Sequence, residues 1–254
     1  MTCANSSAHC AENCGVSFSG KMAKFAIDLK NRPMKVGIII AMESEFNAIS
    51  ALLGGQTSGM IGGNEIMLSR SGIGKVNAAV KTYELIESFH PDCIISTGVA
   101  GGAGLEVEPL DAVVSKEVVY HDVWCGDGNE YGQVQGLPAR YKGNETLCGH
   151  ALGLNTSTRI HGGLICTGDR FIDDPETVGS ILEHFPEGLA VDMESGAIAQ
   201  VCELRNVPFL SFRVISDNPR NSKSFTQYEN FWAELSSHSL EVIRQFITTL
   251  PCTL

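Results

Sequence analysis

The stretch AVDMESGAIAQVCELRNVPFLSFRVISD (Ala190–Asp217) decides the fold of this chain. It predicts a strand, a helix and a second strand, because two runs rich in apolar and β-branched residues flank a helical segment. The first strand runs into Asp192 and Glu194, and the second runs into Ser216 and Asp217. Side chains at the carboxyl ends of α/β strands point into the crevice where such folds bind ligands. These acids therefore indicate acid chemistry or hydroxyl binding, with helix capping as the alternative for Glu194 and Asp217.

The same alternation extends along the chain on both sides of this stretch. A buried-type strand, KVGIIIAM, begins at Lys35 and is followed by a helical segment, and several further strands alternate with helices of 10–15 residues. This pattern predicts βαβ units and a largely parallel sheet covered by helices. No linker, repeat or low-complexity segment interrupts it. We therefore predict an α/β fold with one domain over residues 34–254 and an amino-terminal extension, expected to be flexible, over residues 1–33.

The composition limits the classes of partner. The chain has 254 residues and a formal net charge of −11, which argues against binding to nucleic acid or to an anionic membrane surface. No apolar run approaches the ~20 residues that span a bilayer. None of the nine cysteines forms a CxxC pair, so we expect reduced thiols in a cytoplasmic protein that needs neither a metal nor a cofactor. For residues 1–33, which are Ser-rich and poor in acids, an organelle transit peptide is the alternative.

Two loops after predicted strands are candidate binding segments. STGVAGG (residues 96–102) could bring backbone N–H groups close to a ligand, although a tight turn needed only for packing gives the same pattern. AMESEF places Glu43 and Glu45 just beyond the first strand. An acid there could activate water, or it could only stabilise the helix dipole. The residues alone leave both pairs of alternatives open.

Seven motifs in this order resemble the 5′-methylthioadenosine/S-adenosylhomocysteine nucleosidases, which are members of the nucleoside phosphorylase superfamily. The motifs are MKVGIIIAMESEF, SGIGKVNAA, ISTGVAGG, YHD with EYGQ and GLP, GLICTGDRFI, AVDMES and RVISD. The resemblance implies a central mixed β-sheet, partly barrel-like and flanked by helices, and usually a homodimer. It also implies hydrolysis of the N-glycosidic bond with release of adenine and a 5-thio-ribose.

The resemblance also implies roles for individual residues. Asp217 corresponds to the general acid at N7 of the departing adenine, and Glu45 corresponds to the carboxylate that activates water. Breaking the bond leaves positive charge on the ribose and negative charge on the base, so an acid and a carboxylate stabilise both. Asp217 is expected to have a raised pKa and Glu45 to be ionised. The implied substrate-binding residues are Met42, Phe171, Ile172, Met193, Glu194, Arg213, Ser216 and Phe225.

The first strand and the glycine-rich loop favour water over phosphate as the nucleophile. Phosphorylases of the superfamily have an Arg-x-Gly-Ser segment at this loop, whereas Ser96 and Val99 stand at its Arg and Ser positions here. Phosphate needs cationic partners, and Glu45 would repel it. Val99 also differs from the small polar residue common in the nucleosidases.

The loop at residues 120–138 is the main departure from the family. There the nucleosidases bring apolar side chains over the partner subunit's 5′ group, whereas this chain has Trp124 and Cys125 followed by two glycines. The resemblance predicts a homodimer with this loop near the partner's site, and the departure suggests a 5′ pocket that is wider or more polar. A futalosine-type nucleosidase is the first alternative, a phosphorylase the second, and a non-catalytic purine-binding protein the remote one.

Overall fold

The computed structural model of the protein describes residues 32–220, 224–233 and 241–254, within which lie nine strands and seven α-helices. The strands are β1 (Lys35–Ile40), β2 (Ser58–Ile61), β3 (Asn64–Arg70), β4 (Cys93–Gly102), β5 (Ala112–Tyr120), β6 (Tyr141–Lys142), β7 (Ile160–Thr167), β8 (Gly188–Asp192) and β9 (Phe209–Asp217). The helices are α1 (Glu43–Ser50), α2 (Lys75–Phe89), α3 (Glu145–Leu152), α4 (Pro175–His184), α5 (Ser195–Arg205), α6 (Ser224–Ala233) and α7 (Glu241–Thr248).

The nine strands form one mixed sheet that closes partly on itself. The pairing order is β2-β3-β1-β4-β8-β7-β5-β6, and β9 pairs with both β4 and β5. The pairings β4–β8, β8–β7, β7–β5, β5–β9 and β9–β4 therefore form a ring of five strands. This agrees with the mixed, partly barrel-like sheet that the family resemblance implied. The α/β fold class with a central sheet between helices is confirmed.

The stretch that predicted the fold forms the centre of this ring. Its two apolar runs become β8 and β9, and α5 connects them, as predicted. Every residue of β9 is buried, because this strand lies between β4 and β5 with helices on both sides. The left-handed conformation of Asn206 (φ 53°) ends α5 and turns the chain back into the sheet.

The sheet differs from the βαβ prediction in two respects. First, the sheet is mixed: the pairs β1–β3, β1–β4, β4–β9, β5–β7 and β7–β8 are parallel, as predicted, whereas β2–β3, β4–β8, β5–β6 and β5–β9 are antiparallel. Second, the sequence analysis missed β2, which forms a hairpin with β3 across Gly62 and Gly63. Both glycines have positive φ (58° and 87°), which is the requirement of a two-residue hairpin turn, so the Gly-Gly pair could have revealed the hairpin.

Helices cover both faces of the sheet. Ala78 and Leu85 of α2 pack with Ile198 and Cys202 of α5 in one buried cluster. Residues of α7 pack in another cluster with β1, β3 and β9, where the ring of Phe246 stacks on that of Phe212 at 4.9 Å. Within the described part of the chain, no helix combines the length and the apolar character needed to cross a bilayer.

Two expectations fall on residues outside the described ranges. The extension predicted at residues 1–33 lies almost entirely there and stays a prediction. The sequence SFTQYENFWAELSSHSLEVIRQFITTL (residues 224–250) predicts one long carboxyl-terminal helix, and the structure describes α6 and α7 on either side of residues 234–240.

Replacing Phe246 by alanine is expected to lower the free energy of unfolding by about 3–5 kcal/mol, because Phe246 is fully buried and its loss leaves a cavity beside Phe212. Urea unfolding followed by circular dichroism measures the change. Leu254→Ala is the control: Leu254 is 43% exposed, so its loss is expected to cost no more than about 0.5 kcal/mol. Equal effects of the two substitutions would contradict the packing described for α7.

Candidate active site

A pocket that opens to solvent lies where the chain leaves β1, β4, β8 and β9. Its wall contains polar side chains in the interior and apolar side chains toward the opening. Nine of the ten predicted site residues line it: Met42, Glu45, Phe171, Ile172, Met193, Glu194, Arg213, Ser216 and Asp217. Phe225, the tenth, belongs to α6, but its side chain lies outside the described part of the structure.

Glu45 lies at the base of the pocket, and backbone amides hold its carboxylate from two sides. The N–H of Val99 donates to Oε1 at 2.8 Å, and the N–H of Met42 donates to Oε2 at 3.0 Å. Glu45 is only 3% exposed. Glu45 therefore stabilises the amino-terminal end of α1, which is one of the two roles considered for it. It also connects that helix to the glycine-rich loop.

The environment of Glu45 acts on its pKa in both directions. Burial raises the pKa, which is the largest effect, while the N–H groups of Val99 and Met42 and the charge of Arg213 favour the ionised form. An ionised Glu45 was expected, whereas the net direction here is upward. A carboxylate with a raised pKa is a stronger base, which suits removal of a proton from water.

Gly98 explains how the glycine-rich loop approaches Glu45 so closely. Its φ is +143°, and a Cβ there would lie 2.7 Å from Oε1 of Glu45 and 3.0 Å from a guanidinium nitrogen of Arg213. A side chain at this position would be strained and would displace the carboxylate. The glycine-rich loop therefore has both of the roles considered for it: its backbone comes close to the Glu45 carboxylate, and it turns the chain.

Arg213 is buried among carboxylates at the centre of the site. It is 1% exposed, and its Nη2 lies 2.9 Å from Asp192 and 3.7 Å from Glu194. The same nitrogen donates to the hydroxyls of Ser96 at 2.8 Å and Ser195 at 3.1 Å. Because Asp192, Glu194 and Glu45 all lie near this one guanidinium, the interior of the pocket favours a bound positive charge.

Glu194 occupies the N-cap position of α5, but its side chain makes no capping hydrogen bond. The capping alternative is therefore wrong for this residue. Its Oε1 accepts instead from the N–H of Gly74 at 3.0 Å, in the loop that precedes α2. Burial raises the pKa of Glu194 to about 7, with Arg213 acting in the opposite direction and Asp192 adding to the rise.

Asp217 ends β9 deep in the pocket and is 2% exposed. The hydroxyl of Ser216 donates to its Oδ1 at 2.6 Å, which fixes the orientation of the carboxyl group. Asn218 to Arg220 follow Asp217 without regular structure, so no helix begins directly after it. The predicted rise of its pKa stays a prediction.

The apolar part of the pocket contains residues that the sequence analysis did not assign. Tyr228 of α6 packs its ring against Phe171 at 5.2 Å and directs its hydroxyl at the sulfur of Met42, 3.7 Å away. Ile73 and Arg170 also line the wall. Ile73 lies within the quoted motif SGIGKVNAA, but no local pattern in that motif indicates that the loop contacts Glu194. Tyr228 follows Phe225 by three positions, so it lies on the same helical face.

Asp192 lines the pocket but is engaged by the protein itself. It accepts from Thr167 at 2.6 Å and from the Ser195 hydroxyl, and it pairs with Arg213. Asp192 therefore supports Arg213 and the start of α5. Among the described residues, no group of three or more His, Cys, Asp or Glu side chains is arranged to hold a metal ion.

Comparison with known proteins defines the class first. Residues 35–248 match the family model of the Phosphorylase superfamily. Because the match covers most of the chain, the protein belongs to this superfamily.

Its relatives then define the family. The 5′-methylthioadenosine/S-adenosylhomocysteine nucleosidase of Anoxybacillus flavithermus is 40% identical over 231 residues, which cover 85% of this chain and 99% of the relative. The nucleosidase of Neisseria meningitidis in complex with methylthio-immucillin-A is 34% identical, with a TM-score of 0.76 over 85% of this chain and 99% of that one. That of Colwellia psychrerythraea in complex with adenine is 33% identical, with a TM-score of 0.78 over 88% and 98%. The chain is a member of the 5′-methylthioadenosine/S-adenosylhomocysteine nucleosidase family.

Glu194→Gln is expected to change how stability depends on pH in the ligand-free protein. Because the pKa is raised from 4.5 to about 7, the folded state holds a proton between these values that the unfolded state releases. The stability from this group is therefore present below pH 4.5 and is lost as pH rises through about 7. The wild type should lose on the order of 1–3 kcal/mol relative to the variant between pH 5 and pH 8.

Urea unfolding of both proteins at several pH values measures this difference. Glu43→Gln is the control, since the Glu43 side chain is 74% exposed and should give a nearly constant difference from wild type. A constant difference for Glu194→Gln as well would contradict the description of this carboxyl group.

Proposed function

We propose that this protein hydrolyses the N-glycosidic bond of 5′-methylthioadenosine and S-adenosylhomocysteine, releasing adenine and the 5-thio-ribose. The family supports this assignment, as do the relatives solved with adenine and with methylthio-immucillin-A. One observation in the chain itself favours hydrolysis most directly. The Glu45 carboxylate accepts the Val99 N–H of the glycine-rich loop, where the superfamily's phosphorylases have their Arg-x-Gly-Ser segment.

That hydrogen bond argues against phosphate as the nucleophile. An anion needs unoccupied N–H donors and cations, but Glu45 already accepts from the Val99 N–H. The guanidinium of Arg213 is likewise engaged by Asp192, Ser96 and Ser195. Ser96 therefore accepts a hydrogen bond from Arg213 of β9. A phosphate here would meet a carboxylate, whereas a water molecule could donate to it.

In the proposed mechanism Glu45 removes a proton from the attacking water. Its buried position raises its pKa and so increases its basicity, and the two amides hold the carboxylate in place. The positive charge that develops on the ribose is stabilised by the excess of carboxylates around Arg213. Glu194 accepts hydrogen bonds from the ribose hydroxyls, and Met193 lies beside it in the pocket wall.

Asp217 is proposed to protonate the departing adenine at N7, oriented by Ser216. Phe171 and Ile172 lie in the same pocket wall and are proposed to contact the base. Phe171 is suited to stacking because its aromatic ring lines the pocket and is 42% exposed. The 5′ substituent is proposed to lie against Met42 and Tyr228, with Phe225 as a further candidate on the same helix.

Release of the free purine base from 5′-methylthioadenosine, S-adenosylhomocysteine and futalosine-type nucleosides tests the proposed function. Release of adenine from the first two, measured by chromatographic separation of the free base from the nucleoside, is the expected result. Turnover of only the futalosine-type nucleosides would support the first alternative. A protein that binds adenine but turns over none of the compounds would support the purine-binding alternative.

Asp217→Asn is expected to lower kcat at least a hundredfold, because the amide has no proton of comparable acidity to give to the leaving base. The substitution conserves shape, so the far-ultraviolet circular dichroism spectrum should not change. Asp173→Asn is the matched control, since Asp173 is an exposed acid directly after Ile172. Wild-type turnover in Asp217→Asn would remove this residue from the mechanism.

We further propose a homodimer in which the loop at residues 120–138 lies near the partner's site. An apolar surface supports this: Ile73 lines the pocket, and Val76 and Val80 continue along α2 with 74% and 53% of their surface exposed. Trp124 in the loop is 56% exposed. If the partner completes the site, specific activity should fall when the protein is diluted below its dimer dissociation constant. A monomer with full turnover would contradict the proposal.

A cytoplasmic location is proposed as well. Six cysteines lie in the described residues as free thiols, and four of them are buried, as expected in a reducing compartment. Fractionation of cells that express the full chain tests the location, and recovery of the protein in an organelle would contradict it.

A further inference from the structure

Three loops meet beside Glu194 in an ionic cluster that the proposed chemistry does not use. It consists of Lys75, Asp122 and Asp169, which follow β3, β5 and β7 respectively. We propose that this cluster, here called the Lys75 clamp, positions Gly74 so that its N–H holds the ribose-binding carboxylate of Glu194. The proposal rests on the proposed function and adds positioning residues to it.

Lys75 is the centre of the clamp. Its Nζ lies 2.8 Å from each carboxylate oxygen of Asp122 and 3.9 Å from Asp169. The same ammonium group lies 5.2 Å from the centre of the Tyr120 ring. The side chain is 22% exposed, so water weakens these interactions less than it weakens a fully exposed ion pair.

Backbone hydrogen bonds also bind these segments to the carboxylates of Asp122 and Asp169. The N–H of Lys75 donates to Oδ1 of Asp169 at 2.7 Å, and the N–H of Asp169 donates to Oδ2 of Asp122 at 2.8 Å. Asp122 thus accepts from both a side chain and the main chain, whereas Asp169 accepts from the main chain and lies 3.9 Å from the ammonium group. This arrangement fixes the three loops relative to one another more firmly than a single surface ion pair would.

The clamp acts on the active site through the residue next to Lys75. Gly74 donates its N–H to Oε1 of Glu194 at 3.0 Å, and Gly74 and Lys75 are consecutive. A displacement of the Lys75 backbone therefore moves the donor that orients Glu194. Ile73, one position further back, lines the pocket, so the same displacement would also move part of the wall.

We expect disruption of the Lys75 clamp to lower the affinity for substrate, and we expect this loss to depend on Glu194. In Lys75→Met the carboxylate loses an aligned donor, so kcat/KM for 5′-methylthioadenosine should fall about tenfold, mainly through a higher KM. Lys75→Arg keeps a charge within reach of both acids and should recover part of the loss. Lys81→Met is the matched control: Lys81 lies on the same helix and pairs with Glu84 at 2.6 Å on the surface, and kcat/KM should change less than twofold.

A double-mutant cycle with Glu194→Gln separates positioning from a general loss of stability. If the clamp acts through Glu194, adding Lys75→Met to Glu194→Gln should change kcat/KM less than twofold. A tenfold loss in both backgrounds would overturn the proposal, as would wild-type kinetics in Lys75→Met alone. Should Lys75→Met fail to fold, Asp122→Asn replaces it in the cycle with the same expected and contrary results. A wild-type protein that releases no adenine would instead refute the proposed function.

Discussion

The site depends on one buried charge, the guanidinium of Arg213. This group lies in the middle of a strand with no exposed residue, among Asp192, Glu194 and the nearby Glu45. A buried arginine is tolerated only when its donors are satisfied, and here β8, β4 and the start of α5 supply the acceptors. The ring of strands is what brings these elements together.

The acids around Arg213 also explain why the interior of the pocket suits an electron-poor ribose. Burial raises the pKa values of Glu45 and Glu194, while Arg213 and backbone N–H groups limit the rise. The carboxylates are therefore held in place before substrate binds, so less reorganisation is needed as positive charge develops. In the proposed mechanism Asp217 acts on the base, on the side where Ser216 orients it.

Much of this could be predicted from sequence because strands and their carboxyl ends leave local signals. The apolar runs of β8 and β9 identified both strands, and the acids that follow them lie in the pocket. The antiparallel pairings leave no local signal in the sequence, because the pairing of β9 with both β4 and β5 joins segments that are far apart in the chain. The contact of Gly74 with Glu194 joins residues 120 positions apart, and no local pattern indicates it. Tyr228 was missed for a different reason: its spacing from Phe225 was visible but not used.

Product analysis by phosphorus NMR is the most direct test of the central claim that the nucleophile at Glu45 is water. The enzyme would be incubated with 5′-methylthioadenosine and saturating inorganic phosphate until the substrate is consumed. We expect that all phosphorus remains as inorganic phosphate and that adenine forms at the same rate when phosphate is omitted. Conversion of phosphate to a sugar 1-phosphate in step with adenine release would show that phosphate reaches the ribose despite Glu45, and would contradict the account.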